Sequence, residues 1–328
     1  MAERTTITQT TQIGVESSAG TPVAANKLLQ SISIEPGIKA DIKSFKPRGR
    51  KFATMAALGK EWTEASISGA ATYSELVYLL SACLSYAAPT QITPPDGLAY
   101  KWTFEPDLTD EDTIKTLTVE CGSAVRAGRF AYGIVPELGL TFTRDGIDVS
   151  GRMFGHRYED AHTMTASPTA IDLVPMLGDQ VNVYLDDESD DLGTTKLTRV
   201  LKATWNVADR FGPFWGLNRS EDSWAVHIET DPKPTLKLLL EADAVGMGLL
   251  TAMRAGTKKF IRVEAEGAKI ETGNNYGFTL DHCGVVTEVS EFSDEDGVYA
   301  IEWTFTAAED ADWGKAFTVE MINELSAL

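Results

Sequence analysis

Alternating apolar and polar residues predict that this chain is built mainly from β-strands. Residues 28–35 read L-L-Q-S-I-S-I-E and residues 61–69 read E-W-T-E-A-S-I-S-G, so both have the period of two that is typical of half-buried strands. Residues 72–86 instead place apolar side chains at helical spacing, and Thr72 followed by Glu75 predicts a capping box. The first half is therefore expected to begin as strand, long loop, strand and helix.

The later periodic segments predict a second copy of this order. Strands are expected at residues 98–105 and 113–120, and a hairpin over residues 138–154 turns on Asp145 and Gly146. In the second half, a strand is expected at residues 197–207, an irregular stretch at 211–218, a strand at 223–229 and a helix at 235–253. Two further strands are expected at residues 259–264 and 277–291, and a final strand at 299–305 follows a turn on Asp296 and Gly297. The repeated order indicates an internal duplication.

The expected division has an N-terminal segment and two domains. Residues 1–27 are rich in Thr, Gln, Ser and Ala, which is typical of an arm or an irregular lead-in. The two domains are expected at residues 28–170 and 171–328, with the join inside the polar region 156–195.

The charge balance excludes a general nucleic-acid binder. The chain has 29 basic and 48 acidic residues and a net charge of −19, whereas phosphate binding needs a broad cationic surface. With 328 residues, 43% of them hydrophobic, it can form a substantial core. The N-terminus lacks the features of a signal peptide, and the longest apolar stretch, residues 76–84, is far shorter than the roughly 20 residues of a membrane-spanning helix.

Candidate catalytic and metal-binding residues form no familiar motif. The cysteines are odd in number and lack CxxC spacing, so buried free thiols are expected rather than disulfides or a zinc site. His282 and Cys283 are adjacent, but neighbours on a strand point to opposite faces and would not share a metal. The residues considered are Cys83, Cys121, Cys283, His156, His162, His227 and His282. We therefore predict no enzyme activity and no catalytic, cofactor or metal site.

Acidic segments and tryptophans leave two alternatives open. Residues 294–297 resemble part of a calcium loop, but Phe292 and Trp303 would occupy its first and last ligand positions, and neither binds calcium. Residues 186–191 place the glycine one position late, so a solvated acidic loop is favoured there over a metal site. Sheet core is favoured over a sugar-binding face for the tryptophans in predicted strands, Trp62, Trp102, Trp205, Trp224 and Trp303.

A short basic segment stands out against the acidic background. Residues 43–51 read K-S-F-K-P-R-G-R-K and contain Lys43, Lys46, Arg48, Arg50 and Lys51. Because the rest of the chain is so acidic, this segment is expected to act locally, and its favoured target is another copy of the same chain. A merely solvated loop and direct DNA contact are the alternatives.

Four segments resemble the major tail tube proteins of bacteriophages with long non-contractile tails. They are I-G-V-E-S-S-A-G-T-P-V-A-A-N-K-L-L (13–29), L-G-K-E-W-T-E-A-S-I-S-G-A-A-T-Y-S-E-L-V-Y-L-L (58–80), E-L-G-L-T-F-T-R-D-G-I-D-V-S-G-R-M-F-G (137–155) and V-N-V-Y-L-D-D-E-S-D-D-L-G-T-T-K-L (181–197). The resemblance spans nearly the whole chain and consists of strand patterns and small-residue turns, with no catalytic signature.

The resemblance implies a fold, an assembly and a set of partners. The expected fold is mainly β with flanking helices, in which two tandem β-sandwich tube domains contribute strands to a β-barrel closed between subunits. Rings then stack into a tube for DNA ejection, with a trimer that has six tube domains favoured over a hexamer. Further expected partners are a tape measure protein in the lumen, proteins at the tail ends and, without specific binding, genomic DNA in transit; no membrane is involved.

The resemblance also assigns a role to the basic segment and a location to the protein. In the family, a long loop after the first strands reaches the adjoining subunit or ring, and Lys43, Lys46, Arg48, Arg50 and Lys51 occupy that loop. The location implied is the virion tail, after assembly in the host cytoplasm. A capsid-decoration protein or other virion β-protein, and a glycan-binding β-module, remain as alternative functions.

Overall fold

The computed structural model describes residues 6–217 and 222–328, and within them the protein is mainly β, as predicted. The first half contains a 3-10 helix at Thr6–Thr8 and the helix α1 at Leu76–Cys83. Its strands are β1 (Thr10–Val15), β2 (Lys27–Leu29), β3 (Ile32–Phe45), β4 (Met55–Ala70), β5 (Thr90–Gln91), β6 (Tyr100–Phe104), β7 (Leu117–Ser123), β8 (Arg126–Phe142), β9 (Ile147–Gly155), β10 (Glu159–His162) and β11 (Thr169–Ala170).

The second half has a similar content. It contains 3-10 helices at Gly178–Gln180 and Ser189–Asp191 and the helix α2 at Ala244–Ala255. Its strands are β12 (Val181–Asp186), β13 (Lys196–Leu197), β14 (Val200–Ala208), β15 (Phe211–Phe214), β16 (Val226–Glu229), β17 (Lys233–Glu241), β18 (Lys258–Glu271), β19 (Asn274–Val289), β20 (Ser293–Glu295), β21 (Val298–Ala307) and β22 (Phe317–Asn323).

One continuous antiparallel sheet runs through both halves. Its strands follow the order β3, β4, β9, β8, β14, β17, β21 and β19. The halves meet where β8 pairs with β14, and Leu140 lies opposite Trp205. Alternate side chains such as Ile67, Leu238 and Trp303 are buried in the core below this sheet. The alternation of apolar and polar residues in the sequence therefore arises because one face of this sheet is buried.

The two helices differ in how deeply they are buried. The helix predicted within residues 72–86 is confirmed as α1, and every residue of α1 is buried, so the whole helix lies in the core. α2 buries Gly246, Leu249 and Ala252 and leaves its other face accessible. Asp243 caps its start by accepting from the N–H groups of Val245 and Gly246, at 2.9 Å each.

Two predicted segments differ from the structure. The expected helix over residues 235–253 is β17 followed by α2, because Leu236, Leu238 and Leu240 alternate inward as in a strand before the Asp243 cap. The expected irregular lead-in contains β1, which pairs with β2 and β7 and buries Ile13. Residues 1–5 of that lead-in lie outside the described residues.

The irregular stretch predicted over residues 211–218 is also partly wrong. It contains β15, which pairs with β16 to form a separate hairpin, while residue 218 lies outside the described residues. The two Asp-Gly turns were predicted correctly: β8 pairs with β9 around Asp145, and β20 pairs with β21 around Asp296. Asp296 and Gly297 have φ angles of 54° and 86°, the left-handed conformation that tight hairpin turns require.

The predicted capping box is half formed. The Glu75 N–H donates to Thr72 Oγ1 at 3.0 Å, as expected. The Glu75 carboxylate does not complete the box but accepts from the N–H groups of Gln30, Ser31 and Ile32. This buried carboxylate thus ties the start of α1 to the turn between β2 and β3.

Strand pairing around the predicted join is divided between the halves. β10 pairs with β8 and β11 pairs with β2, both in the first half. β12 pairs with β18 in the second half. The domain limits at residues 28–170 and 171–328 stay predictions.

Candidate assembly surface

The strand β8 contains the joint between the two halves. Its N-terminal part pairs with β7 on one edge and β10 on the other. Its C-terminal part pairs with β9 and, on the opposite edge, with β14, where residues 138–142 lie antiparallel to residues 203–207. This arrangement leaves no open edge on β8 at residues 138–142.

The strand β19 of the second half has neighbours that correspond to those of β8, except that it lacks a counterpart of β14. Its N-terminal part lies between β18 and β22, and its C-terminal part pairs with β21. β18 and β21 both pair with Gly284 and Val285, so they lie on opposite edges. Beyond Val285, the edge facing away from β21 has no strand partner among the described residues. That position on β19 corresponds to the one that β14 fills on β8.

The strand β3 is the counterpart of β14 but lacks a neighbour that corresponds to β8. β3 pairs with β4 as β14 pairs with β17, and each pair precedes an α-helix. β14 uses its second edge to bind β8, whereas the second edge of β3 is unpaired in residues 6–217 and 222–328. The chain therefore contains one complete joint, β8 with β14, and the two separated sides of a second joint, β19 and β3.

The predicted long loop between the first strands is largely a β-hairpin. β3 pairs with β4 from Ile32 opposite Gly69 to Phe45 opposite Met55, with a bulge after Asp41. The expectation of a loop is therefore wrong outside residues 46–54. All residues from 38 to 60, here called the arm, are exposed. The arm has no core beneath it and does not keep the alternation of a half-buried strand, since residues 55–60 read M-A-A-L-G-K, so the sequence did not distinguish it from a loop.

The arm exposes large apolar side chains on both of its faces. Ile42 lies opposite Leu58 on one face and Phe45 lies opposite Met55 on the other. Ile42 is 61% exposed and Phe52, in the connecting loop, 81% exposed. Exposed apolar groups in one continuous element are typical of a surface that another protein covers.

The five predicted basic residues lie together at the end of this arm. Lys43 is in β3, and the other four, Lys46, Arg48, Arg50 and Lys51, lie in the loop 46–54. None of the five has an ion pair with another described residue. Gly49 has a φ of 75°, which lets the chain reverse direction there. The structure therefore brings these residues together as a cationic arm tip.

A cluster of opposite charge lies in the connection from β19 to β21. Glu291, Asp294, Glu295 and Asp296 are exposed, and no cation of the described chain pairs with them. The exposed rings of Phe292 and Tyr299 stack beside them with centroids 4.7 Å apart. We call residues 291–299 the acidic hairpin.

The arm tip and the acidic hairpin lie at opposite ends of the long sheet. Each strand of the sheet is antiparallel to its neighbour, so the end of β3 lies with the starts of β4 and β17 and with the ends of β9, β14 and β21. The ends of β8 and β19 lie at the other end of the sheet. A second molecule displaced along the strands would bring these two features together.

The face of the sheet that points away from the core is polar. It presents hydroxyl and amide side chains such as Ser66, Ser150 and Asn206, together with ion pairs. Arg152 Nε lies 2.7 Å from Glu137 Oε2, and the pKa of Arg152 is raised, mainly by this hydrogen bond. Arg152 thus has carboxylate partners on both neighbouring strands, β4 and β8, and Lys237 in β17 has one in β21.

The connection from β14 to β17 takes a different course from the arm. Its β15–β16 hairpin packs on the first half, where Phe211 and Trp224 contact Tyr132 and Ile134. Arg210, almost fully buried, binds Asp112 and Glu229 and donates from Nε to the Cys83 carbonyl oxygen at 3.1 Å. Arg210 was missed from the sequence because a single arginine after a strand carries no local signal.

Most of the chemically reactive residues are part of the core. Trp102, Trp205, Trp224 and Trp303 are buried, which confirms the core interpretation for them, while Trp62 is half-buried against Trp215. Cys83 and Cys283 are buried and free, and Cys121 is partly exposed and free. Burial raises the pKa of Cys83 and Cys121 to about 12 and that of Cys283 to about 11, so these thiols are poor nucleophiles.

The remaining candidate ligands are also accounted for by structure. Asp186 is buried and accepts from the N–H groups of Gly193, Thr194 and Thr195, so it organises a turn rather than lying in solvent as predicted. His282 and Cys283 are both buried, on a strand enclosed on two faces. Within residues 6–217 and 222–328, no group of three or more His, Cys, Asp and Glu side chains is arranged to hold a metal ion.

A scan against models of protein families gave no match, and neither did a search of curated proteins. Among residues 6–217 and 222–328, none of the helices has the length and hydrophobicity of a membrane-spanning segment.

Proposed function

We propose that this chain is a structural virion protein that joins head to tail into rings, which stack into the tail tube of a bacteriophage with a long non-contractile tail. The observation that carries the proposal is the separated joint: β3 and β19 each have an open edge where their counterparts β14 and β8 pair with each other. β3 of one copy would pair with the end of β19 of the next.

Such pairing would produce a closed ring. The two surfaces are different, so the contact is heterologous, and repeated heterologous contacts close when the rotation per subunit divides a full turn. If each half is one tube domain of a tandem pair, three copies supply six equivalent positions. A trimer is therefore favoured over a hexamer. Pairing of the open edges of β3 and β19 between copies would also remove surfaces that otherwise promote aggregation.

The polar face of the long sheet would form the inner wall of the tube. Its hydroxyl groups and neutralised cations offer few unpaired positive charges to a phosphate backbone, and the acidic chain as a whole repels it. DNA would pass without specific binding, and a tape measure protein would occupy the lumen before ejection. This role requires no catalytic chemistry.

Negative-stain electron microscopy over a protein concentration series tests the proposal. The Ser290 N–H donates to the Glu302 carbonyl oxygen at 2.9 Å. Because N–H groups alternate in direction along a strand, the Val289 N–H points to the open edge. Val289→Pro removes that donor and should abolish rings and tubes, whereas the matched control Val289→Thr keeps the donor and should assemble like the parent.

The outcomes separate the proposed function from its rivals. Rings whose mass corresponds to three chains of 35.6 kDa support the tandem trimer, and six chains would replace it with a hexamer. Tubes from the Val289→Pro variant would show that this edge is not the joint. Small particles from the parent at every concentration would contradict the tube function and favour a capsid-decoration protein or, if glycans bind saturably, a glycan-binding module.

A further inference from the structure

We propose that a cationic cleft at the joint between the two halves binds an organic anion, in which a carboxylate or phosphate head group is attached to an apolar group. The cleft has a volume of about 360 Å³ and lies between the end of β8, the β12–β13 pair and the start of β14. A concave site of this size with an apolar lining and a few polar groups is typical of small-molecule binding. The cleft belongs to the single chain, so it goes beyond the proposed assembly and does not depend on it.

The floor of the cleft is apolar and comes from both halves. Phe142 at the end of β8 lies opposite Ala203 of β14, and Val183 of β12 lies opposite Leu197 of β13. All four residues are buried and line the cleft. Leu201 extends this surface and is 36% exposed. An apolar group bound here would remove the remaining exposed apolar surface from water, which is favourable.

A β-bulge in β14 explains why consecutive residues line the cleft. Val200 and Lys202 lie opposite consecutive residues of β17, so Leu201 is the extra residue of the bulge. Successive side chains of a regular strand point to opposite faces, whereas all four residues from 200 to 203 line the cleft. Bulges redirect side chains and are frequent beside functional sites.

Three cations line the cleft together with this apolar floor. They are Arg144, Lys196 and Lys202, and none of them has an ion pair with another described residue. Arg144 and Lys196 are exposed and Lys202 is half-buried, so the charges lie at the rim. Asp145 and Asp179 are close in sequence to lining residues, but neither of them lines the cleft or pairs with these cations.

The charge of this cleft is opposite to that of the chain as a whole. The net charge of the chain is −19, yet no Asp or Glu among the described residues lines the cleft. Other clefts of similar size follow the acidic balance: Asp107 and Glu111 line one of them, and Glu159 lines another. A concave surface lined by charges of one sign concentrates the opposite ion. The cleft therefore selects anions in a protein that otherwise repels them.

The arrangement of rim and floor defines the chemical class of the ligand. An inorganic anion would pair with the rim cations but would leave the apolar floor uncovered. An uncharged apolar molecule would cover the floor but would leave the cations without a partner. A molecule with an anionic head and an apolar body satisfies both surfaces, and its body would contact β8 of the first half and β12 to β14 of the second.

Isothermal titration calorimetry of the full chain tests the site with four probes: octanoate, octyl phosphate, octanol and inorganic phosphate. At least one of the two octyl anions should bind saturably at one molecule per chain. Octanol and inorganic phosphate should bind at least about tenfold more weakly, because each lacks one half of the recognition. Comparison of octanoate with octyl phosphate identifies the preferred head group.

Variants locate the binding in the cleft. Arg144→Glu with Lys196→Glu should weaken binding of the octyl anion by at least about tenfold, because two of the three rim cations become carboxylates. The matched control, Arg254→Glu with Lys269→Glu, makes the same charge change at exposed cations outside the cleft and should bind like the parent. Leu201→Ser keeps the cations and should weaken binding through the apolar surface alone. Urea denaturation verifies that each variant is folded.

The results separate support from contradiction. Binding of one octyl anion per chain that is lost in the Arg144 and Lys196 variant and kept in the control supports the site. Octanol that binds as tightly as the octyl anions, or inorganic phosphate that binds as tightly as octyl phosphate, would overturn the ligand class. Equal affinities of the cleft variant and the control, or no binding of either octyl anion, would overturn the site. None of these results depends on whether the chain forms rings, so the proposed function is tested separately.

Discussion

The two long connections at one end of the sheet differ in where they find their partners. After β3 the chain forms the extended arm, exposed throughout residues 38–60, whereas after β14 it folds back onto the first half. Both connections begin at the end of a strand that pairs with the next strand of the same sheet and precedes a helix. The same position in the fold thus serves packing within the chain in one half and a free surface in the other.

The two connections also differ in how their cations are compensated. Arg210 satisfies its donors with Asp112, Glu229 and a helix C-terminal carbonyl, so a buried cation is fully compensated. The cations of the arm have no ion-pair partner in the described chain and stay in solvent, where they cost little. The predictions below test this difference, beginning with the largest expected effect.

Arg210→Met should destabilise the protein by about 3–5 kcal/mol, because it leaves the buried Asp112 carboxylate without its cation. Urea denaturation at neutral pH measures the free energy of unfolding. Arg199→Met is the matched control: Arg199 is 61% exposed and pairs with Glu241, so its loss should cost much less than the loss of Arg210. Equal losses of unfolding free energy for the two variants would show that the ion pairs of Arg210 stabilise the β14–β17 connection no more than a surface ion pair does.

Acid should destabilise the second half through His282, which lies in β19, whereas the equivalent strand β8 contains no histidine. Burial lowers the pKa of His282 from 6.5 to about 4, so between these pH values the unfolded state binds a proton that the folded state does not. The free energy of unfolding should therefore fall by roughly 3 kcal/mol as the pH decreases through this window.

His282→Phe tests this assignment, since phenylalanine keeps a buried ring and removes the titration. The difference in unfolding free energy between variant and parent, measured by urea denaturation from pH 7 to pH 4, should change with a slope of one proton. A constant difference across this range would show that His282 does not carry the acid sensitivity.

The starts of the two helices should also respond differently to substitution. Glu75→Ala removes the acceptor of buried N–H groups in the turn between β2 and β3 and should cost about 1–3 kcal/mol. Asp243→Ala removes an ordinary helix cap and should cost about 1 kcal/mol. Denaturation curves of both variants measure the two losses, and a larger loss for Asp243→Ala would reverse the assigned roles.

Shortening the arm should have the smallest effect on stability. If an Asn-Gly turn replaces residues 43–57, Ile42 and Leu58 remain opposite each other and no core contact is lost. The unfolding free energy should change by no more than about 0.5 kcal/mol. Thermal or urea denaturation measures this change, and a loss of several kcal/mol would mean that the arm, like the folded connection, supports its own chain.

Much of the strand content was predictable, because alternation survives wherever a sheet has one buried face. The Asp-Gly turns at Asp145 and Asp296 were predicted for a local reason, since Asp-Gly between two alternating segments is a strong short-range signal for a hairpin. The segment 235–253 was mistaken for one helix because apolar runs fit both periods over a short span. The deep burial of α1 was missed because it depends on elements far away in the sequence.

The sequence by itself determined the local features: the strand periods, the tight turns, the acidic balance and the basic segment with Lys43, Lys46, Arg48, Arg50 and Lys51. Only the tertiary structure decided which strands pair, which edges of β3 and β19 stay open, and that Arg210 is buried while the arm cations are not. The physical reason is that periodicity and turn chemistry act over a few residues, whereas edges and ion pairs join residues distant in the chain.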